Sequence, residues 1–223
     1  MSITVAIDGP SGAGKSSLAK RLAAELGYLY VDTGAMFRAV GLYALRAGHS
    51  PADQQAVAAL LPQITLTLAH VDGAQHIYLN GEDVSEAIRQ EQVGMAASDV
   101  GKNPAVRAFL LEQQRAIAET HDLLMDGRDI GTVVLPNATV KIFLTASPEA
   151  RAERRYKELV AKGENVTYEA VLEKIRQRDW QDTHREAAPL RQAEDAVLAD
   201  TSELDIEQSY ALLKSIIAEK AGV

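Results

Sequence analysis

A glycine-rich segment near the start of the chain constrains the fold more than any other feature of the sequence. Residues 9–16 read G-P-S-G-A-G-K-S and match the pattern G-x-x-x-x-G-K-[ST] without a mismatch. The alternating apolar residues Ile3, Val5 and Ile7 precede the segment, and leucines at every fourth position follow it as far as Gly27. This order predicts a buried strand, a tight turn and a helix. Backbone N–H groups of such a turn, together with the helix N-terminus, bind phosphate groups.

We therefore expect a nucleoside triphosphate to bind this turn, residues 9–17, which we call the cradle. In such turns the lysine reaches the β and γ phosphates, and the following serine ligates Mg²⁺ or one of its waters. Lys15 is thus a predicted catalytic residue and Ser16 a predicted metal ligand, with Mg²⁺ bound together with ATP. The predicted ATP contacts are Gly9, Pro10, Ser11, Gly12, Ala13, Gly14, Lys15, Ser16 and Ser17.

Strand-like and helix-like segments alternate along the rest of the chain. Further strands are predicted at about 28–31, 123–125, 140–144 and 196–199, and a helix at about 35–47. Such alternation predicts a parallel sheet covered by helices on both faces. The expected fold class is α/β, a three-layer P-loop fold with a five-stranded parallel sheet. Two segments depart from the alternation of strands and helices.

The first departure is a group of short runs with period two at residues 64–68, 76–79 and 82–84. Val71-Asp72-Gly73 and Asn80-Gly81 separate these runs, and Asn-Gly between short strands is a strong hairpin signal. The pattern predicts a small antiparallel sheet inserted into the parallel fold.

The second departure is rich in arginine. Ser147-Pro148 predicts the start of a helix there, Gly163 its end and Thr167 the cap of another helix, which suits a mobile helical lid. Guanidinium groups on a lid can stabilise a transferring phosphoryl group and exclude water from it. One or two of these arginines could instead pair with Glu153 and Glu158 on a solvated helix face. Half of the chain's 14 arginines lie in this stretch, namely Arg151, Arg154, Arg155, Arg176, Arg178, Arg185 and Arg191.

Composition and length exclude several classes of protein. The absence of cysteine excludes disulfides and thiolate chemistry, and the five scattered histidines argue against a histidine metal site. A net charge of −8 argues against a nucleic-acid partner, and no run approaches the roughly 20 apolar residues of a membrane span. We expect a cytoplasmic monomer with one P-loop kinase domain over residues 1–223. Its predicted parts are a core (about 1–62, 89–147 and 190–223), an insert (about 63–88) and a lid (about 148–166).

The run Leu123-Leu124-Met125 ends in Asp126-Gly127-Arg128-Asp129, which puts carboxylates at the end of a buried strand. Ligands bind at the carboxyl ends of parallel strands, so this turn should face the cradle. Asp126 either takes part in that site or caps the following turn, and the sequence supports both equally. For Arg128 and Asp129 a functional role is favoured, because a turn needs no arginine.

Five motifs together resemble the bacterial-type cytidylate kinases, in the right order and over nearly the whole chain. They are D-G-P-S-G-A-G-K-S-S (8–17), D-T-G-A-M-F-R (32–38), D-G-R-D-I-G-T-V-V (126–134), S-P-E-A-R-A-E-R-R (147–155) and R-D-x-x-D-x-x-R (178–185). The resemblance implies transfer of the γ-phosphoryl group of ATP to CMP or dCMP, and it implies that the insert helps to bind the monophosphate.

The resemblance also implies a role for each matching residue. Thr33, Arg38 and Arg128 would hold the acceptor phosphate, and Asp182 and Arg185 would contact the sugar. The residues expected to recognise the base are Ser98, Arg107 and Asp129, and those expected to act in catalysis are Lys15, Arg128, Arg151, Arg154 and Arg155.

Two positions depart from the family pattern. Phe37 replaces the usual tyrosine, and Gln181 stands where some relatives have arginine, so one contact at each position is in doubt. Two other functions remain open at this stage. One is a P-loop kinase of another small metabolite, which would need a base for a hydroxyl proton. The other is a non-catalytic regulator that binds nucleotide and transfers nothing.

Overall fold

The computed structural model describes residues 2–71 and 74–222. The strands are β1 (Thr4–Asp8), β2 (Leu29–Asp32), β3 (Leu66–Val71), β4 (Ala74–Leu79), β5 (Glu82–Asp83), β6 (Leu123–Gly127), β7 (Val140–Thr145) and β8 (Val197–Asp200). The α-helices are α1 (Lys15–Leu26), α2 (Thr33–Arg46), α3 (Gln54–Leu60), α4 (Glu91–Val100), α5 (Pro104–Thr120), α6 (Pro148–Ala161), α7 (Tyr168–His184) and α8 (Ile206–Ala221). Short 3₁₀ helices cover Leu61–Gln63 and Ala87–Arg89, and a π-helical turn covers Ile130–Val134.

The predicted five-stranded sheet is confirmed. Its strand order is β2-β6-β1-β7-β8, and β1 pairs in parallel with both β6 and β7. All five residues of β6 are buried, as expected for a strand covered on both faces. The register places Ile7 beside Asp126 and Asp8 beside Gly127, so the carboxyl ends of β1 and β6 lie at the same edge.

Helix boundaries follow from local capping. α1 ends where Gly27 adopts a left-handed conformation (φ 70°) and its N–H bonds to the Ala23 carbonyl, as the sequence predicts. α2 begins two residues before its predicted start, because the Asp32 side chain accepts from the Ala35 N–H and caps the helix there. Ser147 caps α6 and Thr167 caps α7 in the same way, and both caps were predicted.

The inserted antiparallel sheet is also confirmed, in the order β3-β4-β5. Asn80 (φ 52°) and Gly81 (φ 86°) both have positive φ, the conformation that a two-residue hairpin turn requires. The Asn80 Oδ1 accepts from the Thr65 N–H at 2.7 Å, so β3 begins at Leu66 rather than at Ile64. Of the turn predicted at Val71-Asp72-Gly73, Asp72 and Gly73 lie outside the described residues.

The chain forms two compact units. The first contains the residues up to Leu29 and those from His121 onward, and the second is Tyr30–Thr120. Large apolar side chains such as Ile7, Leu124, Leu144 and Leu213 fill the interior of the first. The second has its own core, in which the side chains of Met36, Val40, Ile77 and Leu110 are buried. No helix in the described part of the chain combines the length and apolar character that a membrane span requires.

Candidate active site

The cradle joins β1 to α1 in the first unit. Gly9 has φ 154°, and a Cβ atom built there would lie 1.9 Å from the Leu144 carbonyl oxygen, so only glycine fits this approach to β7. Gly14 precedes α1 in a left-handed conformation (φ 87°). The Nζ atom of Lys15 lies inside the loop and donates to the carbonyl oxygens of Gly9 and Pro10, both at 2.8 Å. The cradle is therefore folded around a buried lysine.

Burial changes the acid–base chemistry of that lysine. Removal from water, and next the positive charge of Arg128, lower the pKa of Lys15 to about 7 from its ordinary value of 10.5. The carboxylates Asp126, Asp8 and Asp182 oppose the shift without cancelling it. We therefore expect the side chain to gain a full positive charge when an anion such as a triphosphate binds next to it.

Ser16 and Asp126 meet beside the cradle. The Ser16 Oγ donates to the Asp126 Oδ2 at 3.0 Å, and Asp126 is buried within β6. Of the two roles that the sequence left open for Asp126, this contact supports a role in the site. A hydroxyl and a carboxylate oxygen are donors that suit Mg²⁺. The described residues contain no cluster of three or more His, Cys, Asp or Glu side chains that could hold a metal ion.

The turn after β6 is fixed by a residue for which the sequence analysis predicted no role. The carboxylate of Asp8 accepts from the Ile130 N–H and from the Gly131 N–H, both at 2.7 Å. Asp8 is buried, and its desolvation raises the pKa to about 6 although both hydrogen bonds lower it. The sequence does show a carboxylate at the end of a predicted strand and next to a glycine. This signal does not reveal the role of Asp8, because the partners of Asp8 are more than 120 residues away.

The end of helix α7 brings two predicted acceptor-site residues to this turn, Asp182 on the helix and Arg185 directly after it. The Asp182 Oδ2 lies 2.8 Å from the Arg128 Nε, and the Arg185 Nη2 lies 3.5 Å from the Asp129 Oδ1. Burial acts to raise the pKa of Asp182, but the charge and hydrogen bond of Arg128 hold it below the ordinary value. The structure therefore unites four predicted residues, two cations and two carboxylates, in a partly dehydrated cluster.

The three predicted catalytic arginines of α6 have different surroundings. Arg151 is buried, and its guanidinium binds both carboxylate oxygens of Asp179. Arg154 donates to the carbonyl oxygens of Thr201 and Leu204. Arg155 is half exposed and pairs with Glu158 at 2.9 Å. Contact of any of them with a transferred phosphoryl group stays a prediction.

The remaining predicted acceptor residues belong to the second unit. Thr33 is buried at the start of α2, and Arg38 lies one turn further along the same helix. Arg107 on α5 donates to the carbonyl oxygen of Gly101, the residue that ends the helix carrying Ser98. This places Arg107 beside the end of α4.

Phe37 also contacts this part of the second unit. The Arg107 guanidinium carbon lies 5.5 Å from the centroid of the Phe37 ring, within cation–π range. The aromatic ring at this departure from the family pattern therefore lies against Arg107, a predicted base-reading residue, in a contact that involves no hydroxyl group.

Comparison with known proteins agrees with this geometry. A family model described as cytidylate kinase matches residues 5–219. A cytidylate kinase from Caldicellulosiruptor bescii is 52% identical over 206 residues, which cover 92% of this chain and 91% of that protein. A cytidylate kinase from Geobacter sp. strain M21 is 50% identical over 218 residues, covering 98% and 94% respectively.

A solved structure agrees on the fold. An uncharacterized protein from Eubacterium ventriosum superposes with a TM-score of 0.51 at 12% identity, covering 96% of this chain and 98% of that chain, which bears on the fold alone. The sequence relatives and the family model, by contrast, span nearly the full chain. The chain therefore belongs to the cytidylate kinase family.

Proposed function

We propose that the protein transfers the γ-phosphoryl group of ATP to CMP or dCMP and releases ADP with CDP or dCDP. Membership of the cytidylate kinase family makes it an ATP-dependent nucleoside monophosphate kinase. The main support is the continuity of residues 126–129. Asp126 accepts from the cradle serine, and two and three residues further on Arg128 pairs with Asp182 and Asp129 with Arg185. The turn at residues 126–129 thus contacts the cradle and also contributes to a cluster suited to an anionic acceptor.

The donor side uses the cradle. Backbone N–H groups of residues 9–17 would bind the triphosphate, and the Lys15 ammonium would sit against its β and γ phosphates. Ser16, with Asp126 behind it, would ligate Mg²⁺ directly or through a water, and the ion would neutralise charge on the phosphates. Charge from the α6 arginines would add to this effect, and Arg155 is the most exposed of the three.

On the acceptor side, different residues would bind the phosphate, the sugar and the base. Arg128, Arg38 and Thr33 would hold the monophosphate, and Asp182 and Arg185 the sugar. Asp129, Arg107 and Ser98 would recognise the base. Cytosine presents an amino donor beside two acceptors, which a carboxylate and a guanidinium complement. Uracil would turn an acceptor towards Asp129, and an unpaired contact of that kind is a strong basis for rejection.

The reaction requires alignment more than proton transfer. A monoester with a second pKa of about 6 is mostly dianionic at neutral pH, so an oxygen of the CMP phosphate can attack the γ-phosphorus with no base. The bond between that phosphorus and the bridging oxygen breaks, and ADP leaves with the electron pair. The protein's contribution is to hold both phosphates in line and to neutralise their charge. Because a phosphate acceptor needs no base, the chemistry favours it over a hydroxylated metabolite.

Initial rates of ADP release with CMP, dCMP, UMP and AMP test the proposal. We expect turnover with CMP and dCMP and much slower turnover with UMP and AMP. Equal rates with CMP and UMP would contradict the base-recognition roles, and no rate with any of the four would contradict the kinase assignment. We also propose that the protein acts as a cytoplasmic monomer and binds no nucleic acid. The net charge of −8 supports the last of these points.

A further inference from the structure

The guanidinium of Arg151 joins three separate parts of the first unit. Its Nε donates to the Ala146 carbonyl oxygen at the end of β7, at 2.8 Å. Its Nη1 donates to the cradle carbonyl of Ser11 at 3.0 Å. Both terminal nitrogens also bind the carboxylate of Asp179 on α7, at 2.9 and 2.6 Å. With only 3% of its side chain exposed, Arg151 is fully engaged inside the protein.

Helix α7 and Arg185, the residue that follows it, make three such contacts at intervals of three residues. Asp179 binds Arg151 and through it the cradle, Asp182 binds Arg128, and Arg185 lies against Asp129. Residues three apart lie close together along one helix surface. The C-terminal end of α7 is therefore joined at its first contact to the cradle and at the other two to the turn at residues 126–129, which we call the acceptor turn.

We propose that Arg151 and Asp179 form a positioning pair that sets the distance between the donor cradle and the acceptor residues carried by α7. The inference rests on the proposed function and revises one part of it, because it removes Arg151 from the arginines that touch the transferred phosphoryl group. Four of its hydrogen bonds are already made to protein groups. Releasing them would leave a partly buried carboxylate and carbonyl oxygens without this partner, which is costly.

The pair should control alignment and not the binding of either substrate alone. Breaking it leaves the cradle and the acceptor turn joined through Asp8 and Asp126, but lets α7 with Asp182 and Arg185 shift relative to both. Small misplacements of reacting groups reduce rates strongly. We therefore expect kcat to fall while the KM values for ATP and CMP change little.

The experiment compares Arg151→Gln, Asp179→Asn and the double variant R151Q/D179N. Each single variant should lower kcat with CMP by at least about tenfold, with KM values within about twofold of the wild type. The double variant should be no slower than the slower single variant, because both substitutions break the same link. It also removes both charges of the pair and leaves neither unpaired, so it remains informative if a single variant folds poorly.

Glu149→Gln is the matched control. It breaks the Glu149–Arg176 pair, which also joins α6 to α7 but is about half exposed at both ends. Exposed pairs contribute little, so its kcat should stay within about twofold of the wild type. Circular dichroism at the assay temperature gives the folded fraction by which each kcat is corrected.

Two outcomes would overturn the inference. A normal or raised kcat in Asp179→Asn with a large loss in Arg151→Gln would mean that Arg151 itself acts on the substrate. Wild-type kcat per folded molecule in all three variants would mean that the pair only stabilises the fold. A wild-type enzyme inactive with every acceptor would instead contradict the proposed function, so the two failures are distinguishable.

Discussion

At the scale of single residues, the titration of Lys15 gives a direct test of the donor site. With a pKa of about 7, the free side chain is mostly neutral at pH 8, and a bound triphosphate should restore its charge. Binding of MgATP should therefore take up about one proton at pH 8 and close to none at pH 6. Calorimetric titrations in buffers of different ionisation enthalpy measure this number. No uptake at pH 8, or the same uptake in Lys15→Met, would show that another group titrates.

In the proposed function, the specificity of the acceptor site depends on Asp129. Its carboxylate would accept from the cytosine amino group and would repel uracil, so removing it would delete both effects. Asp129→Ala should lower kcat/KM for CMP about a hundredfold and that for UMP less than about tenfold. Steady-state kinetics with both nucleotides measures the ratio. Equal losses for CMP and UMP would mean that Asp129 orients Arg185 or the turn and does not read the base.

At the scale of elements, the packing of α2 on α4 depends on one glycine. A Cβ atom at Gly41 would lie 3.0 Å from the Ala96 Cβ and 3.1 Å from the backbone carbon of Ala96, closer than carbon atoms pack comfortably. Gly41→Ala should lower the free energy of unfolding by about 1–3 kcal/mol, because one helix must move away from the other. Denaturant unfolding monitored by circular dichroism measures the change.

Gly94 on α4 provides the control for this substitution. A Cβ atom there would meet no heavy atom within 4 Å. Gly94→Ala should leave the stability unchanged or raise it by up to about 1 kcal/mol, since alanine favours the helix. If both substitutions have the same effect, helix propensity rather than interhelical contact determines the result at Gly41.

Elements whose signals are local could be predicted from the sequence, and contacts between distant residues could not. The cap residue Ser147, the left-handed Gly27 and the Asn80-Gly81 turn act within a few positions of themselves, so composition and spacing reveal them. The roles of Asp8 and Asp179 depend on partners 122 and 28 residues away. Sequence spacing alone does not indicate which arginine a carboxylate will meet in the folded protein.

At the scale of the whole molecule, the predicted site residues are distributed over both units. The motifs at 8–17, 126–134, 147–155 and 178–185 belong to the first unit, and the motif at 32–38 lies in the second. The fold class and the family followed from these motifs because each one combines a backbone requirement with charged groups in a fixed order. The lid boundaries and the residue roles at the acceptor site remain predictions, since they depend on the substrate-bound arrangement.

Phosphoryl transfer from ATP to CMP can be followed in a single turnover with γ-³²P-labelled ATP and excess enzyme. CMP is added, and the label is followed by chromatography into CDP and into inorganic phosphate. We expect nearly all the label to enter CDP, with one ADP formed for each CDP. Label that appears mainly as inorganic phosphate, or that stays in ATP while CMP is bound, would contradict the proposed transfer.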